Sequence, residues 1–280
     1  MTPTITPEVI ERLTDTARLL RRDVVTMIHL AGDGHPAPSL SVVEIITALY
    51  FQVMRIDPAR SHWEDRDRFI LSKGHACPTL YAALARRGYF SPDALPTLRH
   101  INSILQGHPD MKKTPGIDST AGSLGNGISI GLGMALAGRL QGKEYFTYII
   151  TGDGELNEGV AWEALMAAKH HHAGRLIVFV DNNGYQSGGK IAEISGIMPL
   201  SPKFESFGWH CQEIDGHDIE AILKAVAAAQ AELERPSIIV ARTTKGKGIP
   251  FMEGNNAWHK GALSKEQLQE ALIALGGIES

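Results

Sequence analysis

Apolar and polar positions along this chain follow two alternating periods. In residues 7–30, Ile10, Leu13, Ala17, Leu20, Val24, Met27 and Ile28 recur at threes and fours, which predicts an amphipathic helix. It stops at Gly32-Asp33-Gly34-His35-Pro36, a loop by every local signal. A second helix is predicted over 41–53, a short strand over 68–71 ending at Ser72-Lys73-Gly74-His75, and a helix over 79–87. Residues 101–120 read as irregular, with His108-Pro109 and Pro115-Gly116. Residues 122–140 are helical in pattern but rich in Gly125, Gly127, Gly131, Gly133 and Ala135. Glycine weakens a helix, so these positions imply close backbone approach to a neighbouring element or to a ligand.

The centre of the chain is a strand–helix–strand pattern. An apolar run over 145–151 ends at Gly152-Asp153-Gly154, and a second, over 176–180, leads into Asp181-Asn182-Asn183. Between them 157–172 has helical spacing. A loop follows over 184–199, then a strand over 210–214, a helix over 219–233 and a strand over 237–241. The last of these ends at Thr243-Thr244-Lys245-Gly246-Lys247-Gly248. A loop through Trp258-His259-Lys260-Gly261 leads to a closing helix over 265–275. Alternating strands and helices predict the α/β class, here one doubly wound domain over 1–280 with a mostly parallel sheet.

Composition narrows this picture. Hydrophobic residues make up 43% and charged residues 21%, ordinary for a soluble globular protein. A net charge of −4 argues against a nucleic-acid binder. The clusters Arg18, Arg21, Arg22 and Lys112, Lys113 read as solvated faces. Cys77 and Cys211 form neither a disulfide framework nor a metal-spaced pair. Met1-Thr2-Pro3-Thr4 opens without the apolar core of a signal peptide, and no run reaches membrane-spanning length. The expected location is a reducing cytoplasm.

Candidate chemistry gathers at strand ends. A right-handed crossover makes the two central strands parallel, so Asp153 and Asn183 should meet on one rim. One carboxylate and one amide oxygen are too few to cage a metal alone. They suit Mg²⁺ shared with a phosphate ligand. The glycines flanking Asp153 let backbone N–H groups approach that phosphate, and the following helix N-terminus favours its charge. His35, His75, His108 and His259 all sit in loops, three of them as Gly-His, and can carry protons or hydrogen-bond phosphates and hydroxyls. His170, His171 and His172 end a helix and read as surface residues. Gly184 to Lys190 matches Gly-x4-Gly-Lys, but Ile191 stands where a P-loop needs Ser or Thr. No Gly-x-Ser-x-Gly elbow or zinc spacing appears.

With these residues in view, the chain resembles the amino-terminal, thiamin diphosphate-binding section of transketolase. Gly152-Asp153-Gly154 through Asn183 resembles the cofactor fingerprint of that superfamily. Gly34-His35-Pro36, Leu71-Ser72-Lys73-Gly74-His75, Gly107-His108-Pro109, Gly122-Ser123-Leu124-Gly125 and Trp258-His259 occur in transketolase order and spacing. The resemblance covers about residues 10 to 262. It implies that Asp153, the Asn183 side chain and the Tyr185 carbonyl ligate Mg²⁺ or another divalent cation such as Ca²⁺ or Mn²⁺. Gly154, His75 and His259 would approach the diphosphate, with Lys73 and Lys245 neutralising it. Gly122 and Leu124 would offer backbone contacts to the aminopyrimidine. His35, His108 and His259 would face the donor ketose, and His75 and Glu158 are counted with them as catalytic groups. Glu158 and Glu163 match an acidic pair at the family's subunit interface, Glu163 on the cofactor-binding side; a plain charged helix face is the alternative. Lys260 directly follows His259, where many relatives have Gly first, so no role is carried to it.

The same resemblance implies that the family's pyrimidine-binding and carboxyl-terminal domains lie elsewhere. The expectation is a split transketolase, in which a separate chain completes the site and the assembly is a heterotetramer. Its reaction would move a two-carbon ketol unit from a ketose, or ketose phosphate, to an aldose acceptor. Two readings compete: the α subunit of a 2-oxo acid dehydrogenase, and a non-catalytic homologue.

Overall fold

The computed structural model describes residues 5–277, so the reading of Met1 to Thr4 lies outside the described residues. Helix α1 (Pro7–Ala31) is followed by α2 (Pro36–Leu40), α3 (Val43–Ala48), strand β1 (Arg68–Leu71) and α4 (Cys77–Arg87). The middle of the chain forms α5 (Asn126–Leu140), β2 (Thr147–Gly152), α6 (Gly159–His170) and β3 (Leu176–Asn182). A small hairpin, β4 (Tyr185–Gln186) and β5 (Gly189–Lys190), leads to α7 (Ile191–Ile194) and α8 (Ser201–Ser206). Then come β6 (His210–Asp215), α9 (Ile219–Ala231), β7 (Ser237–Arg242) and α10 (Lys265–Ala274).

β1, β2, β3, β7 and β6 pair in that spatial order, and every pairing is parallel. Side chains alternate across such a sheet. Phe69, Leu71, Tyr148, Ile150, Ile177, Phe179 and Ile239 face one side, where they join the apolar stripes of α1, α3, α4 and α9. Ile70, Ile149, Val178, Val180, Ile238 and Val240 face the other, packed with α5, α6 and Phe204 of α8. Each fully buried aliphatic or aromatic side chain contributes about 1.5–3 kcal/mol. Helices on both faces make this the doubly wound α/β arrangement that the pattern predicts.

Local chemistry sets the ends. Thr6 caps α1 by accepting the Val9 N–H, and Gly32 closes it at φ +68, a conformation that glycine adopts without strain. The glycines of α5 serve the neighbouring sheet. A Cβ at Gly127 would collide with Ser72, one at Gly131 with Ile149, and one at Gly138 with Tyr145. Gly133 faces open space.

Several expectations need correction. The second helix starts at Pro36 rather than residue 41, pauses near Ser41–Val42, and ends in a wider π turn over Leu49–Val53. Proline at the first helical position starts it early. The stretch read as a loop over 184–199 contains the β4–β5 hairpin and α7, and α8 carried no recognised signal. Gly184 to Lys190 is that hairpin and not a phosphate loop. Arg21 is not solvated. It is 6% exposed and ion-paired to buried Glu44 at 2.6 Å.

Candidate active site

Parallel strands place all their carboxyl ends on one rim, and ligands bind there. The segments following β1, β2, β3 and β7 meet the loops at 32–36, 107–124 and 255–259 around a cleft of about 410 Å³. Asp153 follows β2 and Asn183 follows β3. The Gly184 N–H donates to Asp153 Oδ2 at 2.6 Å, and the Gly154 N–H donates to Oδ1 at 2.8 Å. The two motif ends therefore touch. Asn183 Oδ1 accepts the Tyr185 N–H at 3.0 Å, and its amide donates to Asp181 at 2.8 Å. A Cβ on Gly154 would stand 2.8 Å from that of Gln186 and 3.7 Å from the Tyr185 carbonyl oxygen. Glycine at this position lets Gln186 pack against the Asp153 turn.

Beneath this rim lies Asp181, to which the sequence pattern assigned no role. It is fully buried and receives the Lys73 ammonium, the Ser41 hydroxyl at 2.7 Å, the Thr243 hydroxyl and the Asn183 amide. Burial alone would raise its carboxyl pKa; the Lys73 charge and these donors outweigh that and hold it below the usual range. Asp153 is 1% exposed and has no such cation. Burial and then the Asp181 charge push its carboxyl up to about 7, against the pull of the Gly184 and Gly154 amides. Lys245 is the opposite case. It is 1% exposed, donates to Asn256 Oδ1 at 2.6 Å and His259 Nδ1 at 2.9 Å, and has no carboxylate within ion-pair distance among the described residues. Burial, then repulsion from Lys73, lowers its ammonium to about 8, against the attraction of Asp153 and Asp181. The cleft thus holds a buried carboxyl and a buried ammonium, neither in an ion pair among the described residues.

The four loop histidines converge. His35 lies 5.2 Å from His75, 5.6 Å from His259 and 6.5 Å from His108, ring centre to ring centre, and His75 lies 5.5 Å from His259. Burial lowers all of them, followed by neighbouring positive groups. His35 falls to about 4 through burial and then His108 and Arg99, and His259 to about 3 through burial and then Lys245. His75 falls well below its ordinary value through burial and then Lys73; His108 falls through burial and then Arg99. At neutral pH each ring is uncharged, with one donor and one acceptor nitrogen. An ammonium can only donate, so Lys245 makes His259 Nδ1 the acceptor and places the ring proton on Nε2.

Gly122, Leu124 and Glu158 also line the cleft, Gly122 beside the His108 ring. Glu163 is not brought there; it is exposed on α6. Pro38, Glu155, Asn157, Gln186 and Ser187 also line the cleft and were not singled out from the sequence. Glu155 stood two residues after Asp153. Asp181 stood at the rim end of an apolar strand, an unusual place for a carboxylate without a partner. That was the available signal.

A doubly wound parallel sheet whose rim gathers Asp153, Lys245 and four histidines around one cleft defines an α/β domain with a polar candidate site. Residues 9–279 match the family described as transketolase, thiamine diphosphate binding domain. The chain is 44% identical over 259 residues to the 6-deoxy-6-sulfo-D-fructose transketolase subunit SqwG of Clostridium sp. (strain MSTE9), covering 92% of this chain and 94% of that protein. Identity to an apulose-4-phosphate transketolase subunit of Phocaeicola vulgatus is 36% over 252 residues, covering 90% and 89%. Among solved structures, Pichia stipitis transketolase in complex with sedoheptulose-7-phosphate superposes with a TM-score of 0.89 at 33% identity, over 96% of this chain and 41% of that one. The transketolase of Campylobacter jejuni gives 0.89 at 28% identity, over 98% and 43%. The chain therefore spans about two-fifths of these long transketolases and nearly all of the subunit proteins. It belongs to the transketolase family. That match decides between the two enzyme readings in favour of transketolase over the 2-oxo acid dehydrogenase α subunit.

Proposed function

We propose that this chain is the cofactor-diphosphate subunit of a split transketolase. With its partner it transfers a two-carbon ketol unit from a ketose or ketose phosphate to an aldose acceptor. One observation carries the reading: Asp153 and Lys245 are buried in one cleft, and among the described residues neither has an oppositely charged group within ion-pair distance. Burying a lone charge is costly. A cation held at Asp153 together with the diphosphate of thiamin diphosphate would neutralise both at once. The donor set fits Mg²⁺, since the Asp153 carboxylate, the Asn183 amide oxygen and the Tyr185 carbonyl are hard oxygen ligands that leave room for phosphate oxygens.

When bound, thiamin diphosphate supplies the carbon nucleophile for cleaving and re-forming the ketose carbon–carbon bond. The chain's own groups bind and move protons. Lys245, His75 and Gly154 serve the diphosphate, and Lys73, ion-paired to Asp181 beneath the rim, adds positive potential from behind. The Gly122 and Leu124 backbone faces the aminopyrimidine. His259 presents its Nε2–H, while the neutral rings of His35 and His108 hold donor hydroxyls and accept or return protons. Leu124, Ile130 and Met166 are exposed apolar side chains on or beside α5 and α6, and Glu163 is exposed on α6. Exposed apolar side chains on these helices support a subunit interface. The partner would carry the pyrimidine-binding domain, and two copies of each chain would form a heterotetramer. No helix among the described residues is long and apolar enough to cross a membrane, and we assign the assembly to the cytoplasm.

The test pairs this chain with a candidate partner bearing a pyrimidine-binding domain. Ketol transfer between a ketose phosphate and an aldose phosphate is expected to require both chains, thiamin diphosphate and a divalent cation. Release of CO₂ from a 2-oxo acid without ketol transfer would overturn the reaction. Absence of cofactor binding in calorimetry under every pairing would leave a non-catalytic homologue.

A further inference from the structure

The cleft holds a second carboxylate whose job is of another kind. Glu155 is 3% exposed and has no cation partner among the described residues. Its Oε1 accepts the Ser72 hydroxyl and, at 2.8 Å, the Gly125 N–H; its Oε2 accepts the Gly152 N–H at 3.0 Å. These donors come from three elements: the end of β1, the turn that starts α5, and the end of β2. Helix α5 has fifteen residues and no side-chain cap of its own, with Gly125 at its N-cap position in the left-handed conformation, φ +83. A carboxylate there satisfies a free N–H and complements the helix dipole. Ser72 lies close against Gly127, where a Cβ would collide with it. The contact surface thus has two halves. One is the Asp153–Gly154 turn on β2; the other is the 122–125 turn on α5, and Glu155 is bonded to both.

We propose that Glu155 is a positioning residue that caps α5 from outside the helix and fixes the 122–125 turn relative to the diphosphate half of the site. This rests on the cofactor reading given above. It has a specific chemical consequence. Glutamine matches glutamate in shape but has one acceptor oxygen and one NH₂ group. If its oxygen faces Gly125, the NH₂ opposes the Gly152 N–H; reversed, the NH₂ opposes the Gly125 N–H. The Ser72 hydroxyl can rotate to suit either arrangement, whereas the two amides cannot. Glu155→Gln therefore leaves one buried backbone donor facing another donor.

The experiment uses the assembly of this chain with its partner and compares two probes by calorimetry, each with Mg²⁺: thiamin diphosphate, which spans both halves, and inorganic pyrophosphate, which needs only the diphosphate half. For Glu155→Gln we expect thiamin diphosphate affinity to fall about ten- to a hundredfold, the range set by one unsatisfied buried donor, with pyrophosphate affinity held within about threefold. Glu155→Asp keeps the charge and both oxygens but draws them back by one methylene, and should show the same split at smaller size. Equal losses for both probes, or no loss for either, overturn the proposal while leaving the cofactor assignment intact. A wild-type assembly that binds neither probe overturns the cofactor assignment and the proposal with it.

Discussion

Replacing Asp181 by asparagine should damage this protein more than any single change at the visible surface of the cleft. The perturbation removes one negative charge and little volume. Lys73, 2% exposed, then keeps its ammonium in the interior with only the Pro38 carbonyl at 3.0 Å, the Ser41 hydroxyl and a neutral amide as partners. Breaking a buried pair in this way costs about 3–5 kcal/mol, because the remaining charge stays desolvated. Unfolding entropy of about 2.1 cal/mol/K per residue, taken over 280 residues, converts that into a fall in Tm of roughly 5–9 °C. The assay is a double-mutant cycle in thermal melts of the cofactor-free chain. Asp181→Asn should show the full loss, and Lys73→Met with Asp181→Asn should lose less than Asp181→Asn alone, since no lone charge then remains. Two results would refute the reasoning: Asp181→Asn within about 1 kcal/mol of wild type, or a double variant at the sum of the singles.

Three further outcomes are expected. Lys245→Met removes the ammonium at His259 Nδ1, so NMR should show the His259 titration moving up from about 3, and thiamin diphosphate affinity should fall about ten- to a hundredfold; an unmoved His259 would show that burial alone sets its value. The cofactor-free chain should lose Tm steadily from pH 7 to pH 4. His35 and His259 sit at about 4 and about 3 against an ordinary 6.5, so the unfolded chain binds more protons in that window and stability falls as pH drops through it. Asp153, raised to about 7, and Asp67 and Asp118, raised by burial, act in the opposite sense; Asp181 and Glu44, held low, act with the four imidazoles, and a flat profile would contradict the buried neutral cluster. Glu163→Ala should change stability by less than about 0.5 kcal/mol because the side chain is exposed, while weakening co-purification with the partner; undiminished assembly would reduce Glu163 to a plain charged face.

Periodicity located the sheet well because the strands are central and parallel. The runs at 68–71, 176–180 and 237–241 are apolar on both faces, and the residues just beyond them had to share a rim. Asp153, Asn183 and the histidine loops were therefore legible as neighbours from the amino-acid order, whereas Lys73 and Lys245 came only with the family motifs. What stayed hidden was pairwise and long-range. Arg21 reads as one of three surface arginines until Glu44 of α3 meets it in the interior. Asp181 reads as the tail of a strand until Lys73, more than a hundred positions earlier, reaches it. Glu155 gives no local sign of capping α5, since its target lies thirty residues away and only the fold closes that distance. Short elements such as α7 and α8 escaped because a turn or two of helix lacks enough positions to display a period.

The placement of β7 has a consequence for how the molecule is made. β7 lies between β3 and β6, yet it is the last strand of the sheet to be synthesised. Until residues 237–242 arrive, β3 and β6 each expose an open edge, the kind of surface that recruits other chains. Pairing across such sequence distances is slow, because the intervening chain must be ordered first. Lys245 and His259 follow β7, so the positive half of the cleft meets Asp153 only when the gap in the sheet has been filled. A nascent chain halted before β7 has both the aggregation hazard and half of the ligand-binding charge, and no ligand can rescue it. Binding at this rim is therefore available to a chain only once this inner strand, β7, is in place.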